Sequence, residues 1–349
     1  MKYSNIILLS DMDGTLLDSN SKVSGETLQA LQTFTSAGGR FGVATGRSQS
    51  NALPFLEGID LNAPSILYNG GALYDFSADK FLFIHELQHE NLTEFLRDTG
   101  AGFPDIMIQI YSPEGCSVVT SRETADPMII SGHWPCAFGR MEDMAEMPWI
   151  KVLFYGQPER LRALEKELEK SGLGRDIRWV FSAEIYLELL PLHASKGSMI
   201  SQIRNLYRGC TIYAAGDYYN DREMLEAADV GIAPANALPC IKEIADRISA
   251  GNDESAVADI ILHIMPKLTV AEYGNSIFAV NDVGVPKNMG AVRSVSISLF
   301  RQSPAESHFN SGVLSPNVGH RHRDDARISF AMRFCHELTW ENNFPNLRK

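Results

Sequence analysis

Apolar positions along this chain fall into short unbroken runs that end in clusters of polar and small residues. The run Ile6–Ser10 ends in carboxylates, as expected of a strand buried on both faces of a parallel sheet. Ser24 stands where a helix N-cap belongs, and Thr27, Leu28, Leu31 and Phe34 then recur at helical spacing as far as Gly38-Gly39. Residues 41–44 read as a second strand. Residues 65–68, closed by Asn69-Gly70-Gly71, read as a third, and 211–215 and 230–233 as two more with a helix between them. Alternation of such strands with helices predicts an α/β fold, a doubly wound, parallel, Rossmann-like sheet.

The character changes in the middle. Alternating stretches at 107–111, 150–155 and 185–190 surround a charged helical pattern at 158–170, which together read as α+β. The pattern therefore predicts a core domain of residues 1–82 plus 191–266, interrupted by an inserted domain of residues 83–190. A helix at 256–263 would close the core. Residues 267–349 form a C-terminal extension with no fold assigned, offering one alternating stretch at 295–300 and one helical period at 327–338. No internal repeat is visible.

Composition sharpens this picture. With 349 residues, 44% hydrophobic and 21% charged, the chain exceeds what one core usually serves. A net charge of −12, with no Lys/Arg stripe interleaved with aromatics, argues against nucleic acid as a partner. An anionic substrate would need a metal ion and local donors to reverse the potential in its pocket. After Lys267, nine Lys/Arg against seven Asp/Glu leave +2, so the preceding part carries −14. Cys116, Cys136, Cys210, Cys240 and Cys335 contain no CxxC pair, which favours idle thiols in a reducing cytoplasm over a disulfide frame or a zinc site. The opening apolar run is too short for a signal peptide and no later run approaches a membrane span, so the expected location is cytoplasmic, without membrane. Nothing in the pattern fixes the oligomeric state.

Chemistry concentrates where the strands end. In extended chain Asp11 and Asp13 point to the same side, so one carboxylate can attack a substrate atom while the other handles protons. An aspartate nucleophile divides phosphate-ester hydrolysis into two steps through an aspartyl phosphate. An acidic surface turn is the alternative, but chance places DxDGT in a chain of this length with a probability of roughly a few in a thousand. A second group, Gly216-Asp217-Tyr218-Tyr219-Asn220-Asp221, also follows an apolar strand. Parallel strands bring such ends together, where Asp11, Asp217, a backbone carbonyl and waters can form the oxygen shell that Mg2+ prefers. Asp221 could instead cap the helix that follows, and with Asn220 could orient the metal shell or a substrate oxygen. Thr45 in VATGRS and Lys196 in HASKGSM are weak signals alone. Beside the aspartates, a hydroxyl, the Gly46 N–H and one ammonium make a cradle for phosphoryl oxygens.

Together DMDGT, VATGR, SKG and GDYYND, in that order, resemble the four motifs of the haloacid dehalogenase superfamily of phosphatases over residues 5 to 265. The resemblance implies Asp11 as nucleophile, Asp13 as acid/base, Thr45 and Lys196 as phosphate ligands, and a Mg2+ set drawn from Asp11, Asp13, Asp217 and Asp221. About thirty residues separate Asp13 from Thr45 and about one hundred and fifty separate Thr45 from Lys196, so the insertion follows the third strand. That placement, YNGG and GDYYND look like the Cof-type subfamily with its C2B-type cap, whose members hydrolyse sugar phosphates and related small metabolites. Gly46, Arg47, Asn69, Gly70 and Asn220 match positions that approach substrate.

His85, His89 and His133 lack ligand spacing and receive no catalytic role, and His193 reads as a packing or substrate contact. His320, His322, Asp324 and Asp325 read as a solvated loop. Besides a phosphatase, two functions fit the same motifs: a phosphomutase, which would return the phosphoryl group to substrate, and a silent binding module that keeps the fold without the chemistry.

Overall fold

The computed structural model describes residues 2–88 and 90–267. Its strands are β1 Ile6–Ser10, β2 Arg40–Val43, β3 Ser65–Leu67, β4 Ala72–Asp75, β5 Lys80–Ile84, β6 Met107–Ser112, β7 Gly115–Val118, β8 Ala137–Phe138, β9 Lys151–Tyr155, β10 Ile177–Ala183, β11 Tyr186–Pro191, β12 Thr211–Ala215, β13 Val230–Pro234 and β14 Arg247–Ser249. The readings at 295–300 and 327–338, the His320 to Asp325 group, Cys335 and His89 lie outside the described residues.

A five-stranded sheet, ordered β14-β13-β12-β1-β2, is parallel throughout. Strand period 2 explains its burial on both faces. Leu8, Phe41, Val43, Tyr213 and Ala215 face one layer, filled by Leu31 and Phe34 of the helix Gly25–Ser36 and by Val257 and Ile261. Ile7, Leu9, Ile212 and Ala214 face the other, filled by Met199, Ile200 and Ile203 of the helix Lys196–Leu206 and by Met224 and Leu225. The doubly wound α/β expectation holds, and Ser24 caps its helix by accepting from the Thr27 N–H.

The third strand differs from expectation. β3 runs parallel beside β2 only through the isolated bridge Ala44–Ile66, and otherwise opens an antiparallel meander, β3-β4-β5. The cause is local: Tyr68, Asn69 and Gly70 all adopt positive φ (53°, 55° and 92°), which turns the chain back on itself. The fifth parallel strand is instead β14, three residues at the sheet's edge.

Residues after the meander build a separate, cap-like sheet, ordered β10-β11-β9-β6-β7-β8. One face is apolar, with Ile108, Ile110, Val152, Phe154, Leu187 and Leu189 packed on Leu92, Leu96, Leu161, Leu164 and Leu168 of the helices Glu90–Gly102 and Pro158–Ser171. The opposite face carries Gln109, Lys151 and Glu188, all buried. On this sheet Cys116 and Cys136, twenty positions apart, come to share one donor, the Gln109 Nε2 at 3.1 Å from each sulfur. Cys116, Cys136, Cys210 and Cys240 are free thiols. Among the described residues no helix is long and apolar enough to cross a membrane.

Candidate active site

β1 and β12 pair in register from Ile6–Thr211 to Ser10–Ala215, so the residues that follow them emerge side by side. The Asp11 N–H donates to the Ala215 carbonyl at 2.8 Å, extending the pairing into the site. Gly14 turns the chain at φ 82°, and a Cβ there would lie 2.5 Å from Asp217 Oδ2. The sequence therefore needs glycine at this position for conformation and for space. Thr15 Oγ1 then donates to Asp217 Oδ1 at 2.9 Å, and Asn236 Nδ2 holds the Gly14 carbonyl at 2.8 Å.

Lys196, at the start of its helix, is fully enclosed. Its ammonium donates to Asp11 Oδ1 at 2.7 Å and to Asp221 Oδ1 at 2.6 Å. Asp221 Oδ2 accepts the N–H groups of Asp217 and Tyr218 at 3.0 Å, so this carboxylate closes its own loop and does not cap the helix Arg222–Ala227. Asp11, Asp217 and Asp221 bring ligand atoms within 4.8 Å of one another.

One ammonium does not neutralise three carboxylates. Burial above all, then the charges of Asp221, Asp217 and Asp13, pushes Asp11 well above the usual carboxylate range against the opposing pull of Lys196. Burial and Asp221 push Asp217 up to about 7, offset in part by the Thr15 hydroxyl and Lys196. Burial pulls the Lys196 ammonium down, but Asp11 and Asp221 outweigh it and raise it. A donor set made only of carboxylate oxygens, carrying excess negative charge, fits a hard divalent cation.

Asp13 stands apart from this cluster. Its exposed carboxylate is gripped by Arg47, from Nε to Oδ2 at 2.8 Å and from Nη2 to Oδ1 at 2.6 Å, a two-bond fork typical of guanidinium. Arg47 also lies over the Phe55 ring at 4.3 Å. Thr45 is buried, with its Oγ1 accepting from the Arg47 N–H at 3.2 Å, which leaves its hydroxyl hydrogen to donate. The Asn69 N–H donates to the Thr45 carbonyl at 3.0 Å, and Asn220 Nδ2 donates to Asn69 Oδ1 at 3.0 Å. Gly70 packs so closely on the Ser195 backbone that a Cβ would overlap it. The residues singled out by motif thus sit on loops, short turns and, for Lys196, the first position of a helix, with the Asp13 carboxylate outside the acidic cluster.

Sequence reasoning missed Lys151 and Glu188 of the cap-like sheet. Lys151 Nζ donates to the Gly46 carbonyl and to Glu188 Oε2, each at 2.9 Å. Glu188 Oε2 also accepts from Asn69 Nδ2 at 3.1 Å. The signal was available: each is a lone charge within a strand that is otherwise apolar, and buried charges need partners. Burial and then the neighbouring His193 lower the His85 imidazole, and neither ring bonds to the acidic cluster.

Comparison with known proteins points the same way. A family model for haloacid dehalogenase-like hydrolases matches residues 8–261. An HMP-PP phosphatase of Serratia proteamaculans is 29% identical over 260 residues, which cover 72% of this chain and 93% of that protein. An HMP-PP phosphatase of Yersinia pestis is 30% identical over 240 residues, covering 67% and 85% respectively. A crystal structure of a haloacid dehalogenase-like hydrolase from Bacteroides thetaiotaomicron superposes with a TM-score of 0.66 at 26% identity, covering 75% of this chain and 99% of that one.

Proposed function

The chain belongs to the haloacid dehalogenase-like hydrolases and is a phosphatase, and from that premise we propose that it hydrolyses small phosphomonoesters, sugar phosphates or related metabolites, through an aspartyl phosphate on Asp11 with Mg2+ as cofactor. One observation carries this reading: three carboxylates converge around a single lysine at the ends of adjacent parallel strands. Asp11 and Asp217 are the residues to hold the ion, because both oxygens of Asp221 are already engaged by Lys196 and backbone N–H groups. When bound, Mg2+ supplies positive charge that keeps these carboxylates ionised and neutralises phosphoryl oxygens.

The chain's own residues then divide the work. Lys196 fixes one oxygen of Asp11, which sets the direction from which Asp11 attacks phosphorus. The Thr45 hydroxyl and the Gly46 N–H donate to equatorial oxygens, while Asn69, Gly70 and Asn220 line the ester. Arg47 exchanges Asp13 for a substrate oxygen, which frees Asp13 to take up a proton from solvent, to deliver it to the leaving oxygen as the P–O ester bond breaks, and then to take a proton from the water that displaces Asp11 from phosphorus. Residues 83–190 act as a cap that excludes bulk water. The free thiols suit action in the cytoplasm.

The test is phosphate release from a panel of phosphomonoesters, and also from HMP-PP because relatives in Serratia proteamaculans and Yersinia pestis carry that name, in Mg2+ and in chelator. Release that needs Mg2+ supports the reading. No release from any compound, or release that persists in Asp11→Asn, overturns it, and phosphoryl return to substrate without free phosphate makes the enzyme a mutase.

A further inference from the structure

We propose that Lys151 and Glu188, borne by the cap-like sheet, are positioning residues that set the geometry of the phosphate-binding loops, an inference that rests on the phosphatase reading above. The pair lies on the face of β9 and β11 that packs, through neighbours such as Tyr111 and Leu153, against Leu67, Tyr68 and Ala72 of the meander, and both side chains are almost completely buried, at 3% and 4% exposure. Neither spends its charge on the cap alone. Lys151 bonds to the Gly46 carbonyl, one peptide beyond Thr45. Glu188 receives Ser182 Oγ on Oε1 at 2.6 Å, and Lys151 and Asn69 on Oε2.

Donor and acceptor rules make the contact to Asn69 directional. A carboxylate only accepts, so Glu188 draws the Asn69 NH2 toward the cap and thereby turns Oδ1 toward Asn220. Asn69 is held at φ 55°, and a Cβ on Gly46 would come within 2.8 Å of its Nδ2, so the glycine leaves the space that this amide occupies between Glu188 and Asn220. A line of hydrogen bonds thus runs from the cap through the loops that follow β2 and β3 to the Asp217–Asp221 loop. The loops that cradle phosphate take their final geometry only with the cap sheet seated on them.

A buried ion pair that served stability alone could be replaced by apolar residues of similar volume with little loss. The double variant Lys151→Met/Glu188→Leu is therefore the deciding experiment, read first as binding of inorganic phosphate by calorimetry in Mg2+, which needs no turnover, and then as kcat/KM. The expected result is a melting temperature close to wild type with phosphate affinity and kcat/KM lowered by about 10- to 100-fold. Wild-type affinity and kcat/KM in a folded double variant would overturn the proposal. Should that variant fail to fold, the isosteric Glu188→Gln serves in its place, alone and combined with Asn69→Ala. If Glu188 acts through Asn69, Glu188→Gln weakens phosphate binding on its own and adds nothing in the Asn69→Ala background, whereas additive losses would sink the idea. Failure of the wild type to release phosphate from any ester, with the affinity difference intact, would instead indict the phosphatase reading.

Discussion

Two lysines of this protein are buried to the same degree and do opposite things. Lys196 sits among Asp11, Asp217 and Asp221, bonded to two of them, and one ammonium leaves three carboxylates unbalanced. Lys151 meets one carboxylate, Glu188, and otherwise neutral groups, a carbonyl and the Tyr111 ring at 4.9 Å. Burial alone does not tell an active centre from a scaffold; the local charge sum does. A balanced pair is complete, while an unbalanced cluster can be completed only by a further cation or by protons.

That contrast can be broken most sharply at Asp11. Replacement by Asn removes the attacking charge at nearly constant shape, and phosphate release should fall at least about 10³-fold while the melting temperature holds or rises, because one member of a repelling group is neutralised. Lys196→Met should do the reverse to stability. It strands buried carboxylates, at a cost of about 3–5 kcal/mol, read as a lower midpoint in urea unfolding, with turnover lost as well. Mg2+ gives the gentler separation. An ion that binds the folded chain alone stabilises by about 2.7 kcal/mol at one hundred times its Kd, so thermal scans should show a rise on adding Mg2+ and its removal by chelator. Asp217→Asn should shrink that rise, whereas Lys151→Met/Glu188→Leu should leave it in place. A rise equally diminished in both variants would erase the distinction between the two lysines.

Much of this was legible in the chain because buried parallel strands print themselves as apolar runs. β1 and β12 appear at their expected places, each followed by the carboxylates that the parallel pairing then unites. β3 was legible as a strand but not in its partner, since an apolar run carries no record of its neighbour and the reversal depends on three positive-φ residues after it. β14, a three-residue edge strand with Arg247 and Ile248 exposed, offers no pattern at all. The Asp13–Arg47 fork and the Lys151–Glu188 pair escaped for a different reason. Their partners are 34 and 37 residues apart in the chain, and long-range side-chain pairing obeys no period.

The place of β1 in the sheet has a consequence for how the protein is made. It lies between β2, which follows at once, and β12, and Thr15 reaches its partner Asp217 across 202 residues. A growing chain therefore leaves the ribosome with one edge of its first strand unpaired, while the cap-like sheet, whose strand pairings all lie within residues 107–191, can form ahead of it. Unpaired edges invite association, so chains stalled before β12 should aggregate and those stalled after the Asp217–Asp221 loop should not. Asp11, the proposed nucleophile, acquires its surroundings only when that loop arrives.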